Sequence, residues 1–353
     1  MADMTAVAHP PTRRPFGAAR DVVNGIVAVG VKELRGRMRG RRAFVVLTIH
    51  LLLVAGFAWM VESFAERTVT SNFGSTFSAS ADIGRALFTG LVLLLTLIVL
   101  VLAPASTAGA ISLEREKQTL DLLTTTPISS LAIVLGKLFS ALTWVFLLLA
   151  ASIPVTALVF TFGGVGPEDV IRGYVVLLGT AIGFGSIGLF VSALVKRTQA
   201  ATVINLVAVI GLTVGTTIVF IFWTAMTGSQ GFLPDEPGVR DQGFLATLTR
   251  RPPEALMYLN PFVAQLDVVC GTETGFGTTC QVINGVTARD LAGVGFEEAQ
   301  FGVARDSFWP RSLLALGVVS LLLIILSVQL VSPTRRWRLR LPRPRRRPAG
   351  SET

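Results

Sequence analysis

The sequence predicts an all-α integral membrane protein with six spanning helices, and three observations carry that prediction. Six apolar runs, 43–61, 87–103, 131–162, 171–195, 200–226 and 312–331, are each about long enough to cross a bilayer, which takes roughly 20 residues at 1.5 Å apiece. The composition is 51% hydrophobic and only 15% charged, and no Asp, Glu or Arg falls deep within any run. Lys and Arg gather at the ends of the runs: with the N-terminus inside, 22 of the 31 fall on inner segments and 9 on outer ones. Basic residues favour the cytoplasmic side, so both termini are expected there. The same clustering turns the net charge of +9 towards anionic membrane lipids and away from nucleic acid.

Taken in order, residues 1–20 are rich in Pro, Ala and Arg and read as a tail without a packed core. They do not read as a signal peptide, because the first apolar run begins too far in and is too long. Over 22–38 a helical stripe of Val23, Ile26, Val27, Val31, Leu34 and Met38 faces away from Lys32, Arg35, Arg37 and Arg39. That pattern predicts an amphipathic helix lying at the membrane interface. Residues 1–42 thus form a cytoplasmic segment and 43–331 the six-span domain. The first span holds His50, read as a satisfied histidine because no acidic residue or Cys neighbours it. Residues 62–85 read as a polar external loop, and span two leads out through Pro104. In span three, Ser129 is the expected N-cap, Lys137 is expected to reach back to the headgroups, and Pro154 is expected to kink the helix. Spans four and five carry one GxxxG each, Gly179/Gly183 and Gly211/Gly215, the spacing that lets helices pack closely. Residues 227–311 form a large external loop, and 332–353 a basic cytoplasmic tail.

Between spans two and three lies the most informative stretch, ISLEREKQTLDLLTTTPISS over 111–130. Leu113, Leu120 and Leu123 share one helical face, whereas Glu114, Gln118, Asp121 and Thr125 share another. Pro127 ends the pattern, which predicts a short amphipathic helix over 111–126. Helices that rest on lipid are typically rich in Lys and Arg on one side and bulky aromatics on the other. This one has mixed charge and no aromatic, which favours a protein as its contact.

The run from Glu114 to Lys137, EREKQTLDLLTTTPISSLAIVLGK, resembles the signature of type-2 ATP-binding-cassette (ABC) permeases. An acidic first turn, a Thr-Leu pair, a Thr-Pro-Ile-Ser turn and a Gly-Lys opening the next span occur in the family's order. Gln118 departs from the pattern, because the family commonly has glycine there; a helix interior should tolerate the change well. The basic helix before span one is similar to the family's as well. The resemblance implies a cytoplasmic coupling helix that docks in an ABC ATPase subunit through Glu114, Arg115, Glu116, Thr119, Leu120, Leu123 and Pro127. It also implies a second permease copy or a paralogue to complete the transporter, export as the direction, and a bacterial plasma (inner) membrane as the location.

No GxxxxGK[ST] phosphate loop occurs, so the chain is not expected to be an enzyme, and ATP hydrolysis is expected in the partner. His9 and His50 form no HExxH, Ser186 has no histidine partner, and neither a metal nor a cofactor is expected. Cys270 and Cys280 are the only cysteines, both in the external loop, and are expected to pair, with two free thiols as the alternative. Two other functions stay open at this level: a membrane anchor or assembly factor that moves no substrate, and a secondary transporter. Against the latter stands the lack of an intramembrane carboxylate.

Overall fold

The bilayer sets the length of the helices, and a computed structural model of the chain shows how they assemble. It describes residues 41–72, 76–118, 130–227, 254–270 and 308–331. The elements are α1 (Arg41–Asn72), α2 (Thr76–Ala108), α3 (Ser112–Glu116), α4 (Ser130–Ala157), α5 (Val159–Phe162), α6 (Pro167–Leu194), α7 (Thr198–Ile210), α8 (Thr216–Thr227), α9 (Pro261–Cys270) and α10 (Phe308–Val331). A π-helical turn, Gly211–Gly215, joins α7 to α8, and a 3-10 turn, Glu254–Met257, leads into α9. Six helices are long and apolar enough to cross a membrane. The amphipathic stripe over 22–38, Ser129, most of the external loop and the basic tail lie outside the described residues.

α2 and α6 form the centre. Leu87, Leu91, Leu95 and Val99 of α2 are buried with Leu177, Ala181 and Leu189 of α6 and with Val134, Leu138 and Leu142 of α4. α1 joins this core through Val54 and Ala58, and α1, α7 and α8 leave broad apolar faces exposed, the arrangement a lipid solvent allows. His50 bonds the carbonyl of Leu148 at 3.1 Å and so ties α1 to α4. Asn205 donates to the carbonyl of Gly188 and ties span five to span four.

The expected polar loop at 62–85 is largely helix. α1 has 32 residues and α2 has 33, about 50 Å each, against a hydrocarbon core of about 30 Å. The helices therefore run on past the apolar runs, and their polar ends complete their own backbone hydrogen bonds. At this end a tight turn folds over α2. Gly163 and Gly164 hold φ of 79° and 80°, and a Cβ on Gly164 would overlap the backbone of Ala81. Ser80 and Arg85 bond the carbonyls of Phe162 and Gly164.

The two GxxxG motifs behave differently. A Cβ on Gly179 would overlap Leu313, and one on Gly183 would overlap Leu316, so the first motif is the groove in which α10 seats. The second bounds the π turn: a Cβ at Gly211 meets nothing within 4 Å, and at Gly215 only the carbonyl of Ile210 at 3.9 Å. Among the described residues neither of these two glycines meets another helix, because the extra residue in the turn shifts the helical register between them. Another tightly packed glycine lies outside both motifs. A Cβ on Gly188 would overlap Thr107 and come within 2.9–3.0 Å of Pro104 backbone atoms, which cannot swing aside as a leucine tip can. Gly188→Ala is therefore expected to destabilise the protein by about 1–3 kcal/mol, whereas Gly211→Ala is neutral or stabilising by up to about 1 kcal/mol. Thermal unfolding of both variants in detergent checks this; equal midpoints for the two would refute the α2–α6 contact.

Candidate functional site

The end of the bundle at which span two finishes carries a dense set of polar contacts, all centred on α3. α2 stops at Ala108, residues 109–111 form a turn, and α3 follows beside the ends of the neighbouring spans. The N–H groups of Ile111 and Ser112 both donate to Ser192 Oγ at 3.0 Å, so a hydroxyl of α6 satisfies the first free donors of the turn. Ser112 Oγ bonds Ala108 O and the Thr198 hydroxyl. Arg115 Nη1 donates to Ala193 O at 3.0 Å, at the C-terminal turn of α6.

The two acids of α3 reach two further spans. Glu114 Oε1 pairs with Lys137 Nζ at 2.6 Å, and the same ammonium donates to Ala110 O at 2.8 Å. Lys137 is only 1% exposed, so it does not reach back to the headgroups as the sequence suggested. Its counterion and carbonyl partner lie across α4, and a charge-assisted pair inside the protein replaces hydration. Glu116 accepts hydrogen bonds from Thr198 N and Thr198 Oγ1, both at 2.9 Å. The N-cap of α7 is Arg197, whose side chain makes no capping bond, so Glu116 supplies that cap from 82 positions away. The site thus joins the ends of four spans through one five-residue helix. Leu113, Glu116 and Lys117 stay exposed.

The helix expected over 111–126 does not run unbroken. α3 closes at Glu116, Lys117 caps it, and Gln118 adopts φ 56°, the left-handed conformation that no α-helix continues through. Gln118 therefore occupies a C-terminal stop and not a helix interior. The family's glycine suits that conformation, and a glutamine is strained there. Gln118→Gly is expected to raise stability by up to about 1 kcal/mol and Gln118→Ala to gain nothing; a fall in unfolding midpoint for the glycine variant would contradict this. Thr119, Leu120, Leu123 and Pro127 lie outside the described residues.

A second polar cluster closes the opposite end, where the sequence suggested only an external loop. Asn260 is buried: its Oδ1 accepts the Phe262 N–H, capping α9, and its Nδ2 donates to Thr213 O, Thr216 Oγ1 and Thr217 Oγ1 at 2.9–3.2 Å. The π turn and its threonines thus form the notch that receives α9. Gln265 Nε2 donates to Gly173 O, which fixes α9 on α6. Asp267 Oδ2 accepts the N–H groups of Phe308 and Trp309 at 2.8 and 3.0 Å, capping α10 from another segment. Cys270 ends α9 and is disulfide-bonded, while Cys280 lies outside the described residues.

Sequence reasoning named Glu114, Arg115 and Glu116 but missed Lys137, Ser192 and Thr198 as their partners, and missed Asn260 and Asp267 altogether. The available signals were a lysine seven residues into an apolar helix and an acid inside the apolar run 261–270.

No curated protein sequence matches the chain. A family model described as ABC-2 family transporter protein matches residues 27–269, a range that takes in the α3 cluster, Asn260, Gln265 and Asp267 of the second one, and the first five spans. That is more than half of the chain, and with six helices long and apolar enough to cross a membrane it makes this a multi-pass membrane protein, the permease component of an ABC transporter, belonging to the ABC-2 transporter family.

Proposed function

We propose that the chain is the membrane half of an ATP-driven exporter, coupled to a separate ABC ATPase subunit through α3 and the residues that follow it to Pro127. The observation that carries this reading is that α3 follows the end of span two and bonds to spans three, four and five, so force applied there reaches all four. The positive-inside count supports a cytoplasmic position for this end and for both termini. A second copy or a paralogue completes the translocation path, and Cys270 pairs with Cys280 on the outer side. The substrate enters from the membrane or the cytoplasm and leaves at the end closed by α9.

The test has two arms. A cysteine in place of Lys196 should resist a membrane-impermeant thiol reagent in intact cells, whereas one in place of Pro167 should react. Affinity purification of the full chain in mild detergent should retain an ABC ATPase whose hydrolysis drives transport. Leu120→Asp/Leu123→Asp should lose that subunit, because an interface does not accept unpaired carboxylates in place of leucines. Reversed labelling, or retention unchanged in the double variant, would overturn the reading.

A further inference from the structure

We propose that Glu114, Arg115 and Glu116 are positioning residues that clamp α3 to spans three, four and five, and that they do not themselves touch the ATPase. This deepens the coupling role proposed above and rests on it only for its second readout. Each side chain is already engaged inside the chain. Glu114 holds the buried ammonium of Lys137, Arg115 holds Ala193 O at the end of α6, and Glu116 caps α7 at Thr198. A carboxylate that left Lys137 for an ATPase groove would strand a buried charge among apolar residues of α2 and α4, and one that left Thr198 would uncap a spanning helix. Leu113, at 43% exposed, Glu116, Lys117 and Gln118 face outwards; of these Glu116 is already bonded to Thr198 through both carboxylate oxygens, so contact with a partner falls to Leu113, Lys117 and the chain beyond Gln118.

The clamp gives the segment a mechanical meaning. A five-residue helix has too few internal hydrogen bonds to hold its own shape. Its rigidity comes from the spans, and so does its leverage: α4, α6 and α7 move with it as one body. The Ser192 hydroxyl, which takes the Ile111 and Ser112 N–H groups, fixes the pivot end.

The experiment is a double-mutant cycle on the full chain in lipid nanodiscs, read by amide hydrogen exchange over 109–118. Glu116→Ala, Thr198→Val and the double variant are compared with wild type, alongside Glu114→Gln and Lys137→Arg. Each single change at Glu116 or Thr198 should speed exchange, Glu116→Ala by about ten-fold or more, and the double variant should be no faster than Glu116→Ala, because both remove one interaction. Lys137→Arg keeps the charge and should preserve protection that Glu114→Gln loses. In the second readout, Thr198→Val, which alters a spanning helix and not α3, should weaken retention of the co-purified ATPase along with Glu116→Ala. Unchanged exchange in Glu116→Ala with retention lost would make the acid a direct contact and overturn the clamp, as would additive exchange effects. If wild type retains no ATPase, the coupling role fails, while the exchange cycle still decides the clamp.

Discussion

Lys137→Met is expected to lower stability by about 3 kcal/mol, at the lower end of the range for breaking a buried ion pair by removing one partner. The ammonium is the fully buried member, whereas the Glu114 side chain keeps 25% of its surface exposed, so water recovers part of the loss on the acid's side. Methionine fills much the same volume, and the cavity contribution is therefore small. What remains is a carboxylate and the Ala110 carbonyl that have lost their shared donor. The companion variant Lys137→Met/Glu114→Gln removes both charges and should regain more than half of the loss, since replacing a whole buried pair by neutral groups is often close to neutral. Denaturant titration of the purified chain in micelles checks both. A single variant within about 1 kcal/mol of wild type would mean that the pair contributes no more than a surface salt bridge does.

At the opposite end, Asp267→Ala is expected to cost about 2–4 kcal/mol. Two N–H donors at the start of α10 lose their acceptor, one of them on the buried Phe308, and the favourable charge at that helix N-terminus goes with them. Asp267→Asn should fall between alanine and wild type, because an amide oxygen still accepts but carries no charge. Proteolysis near residue 308 and the unfolding midpoint are the measurements. An asparagine variant as unstable as the alanine one would show that the charge, and not the acceptor, does the holding.

The six spans were legible because the bilayer enforces run length, a constraint that each residue meets almost independently of its neighbours. The packing of Gly179 and Gly183 was legible for a related reason: small residues four apart leave a groove whatever fills it. Gly211 and Gly215 show the limit. The same four letters bound a π turn here, and sequence spacing assumes the regular register that such a turn breaks. Lys137 was misread because its position at the start of span three fits two outcomes, hydration or pairing, and only the fold of α3 across α4 decides between them. Glu114 and Glu116 were recognised as functional candidates from the acidic first turn, yet their partners lie up to 82 positions away and follow no periodicity. α9 was hidden for another reason: its 10 residues are too few to span, and nothing in the pattern of a mixed loop separates a helix that folds back against the bundle from one that stays in water.

The cap that Asp267 places on α10 also orders the completion of the molecule in time. Asp267 leaves the ribosome 41 positions before Phe308, a delay of about 2–8 s at 5–20 residues per second. Throughout that interval the helix end that the carboxylate caps does not yet exist. Both sides of the Asn260 notch, the π turn and the start of α9, precede Asp267 in the chain and so are made before it. The last helix then arrives at a bundle carrying two marks for it, a glycine groove along α6 and a single carboxylate at the level where its first turn must stop. The contacts that set the depth and rotation of α10 are thus made by residues earlier in translation.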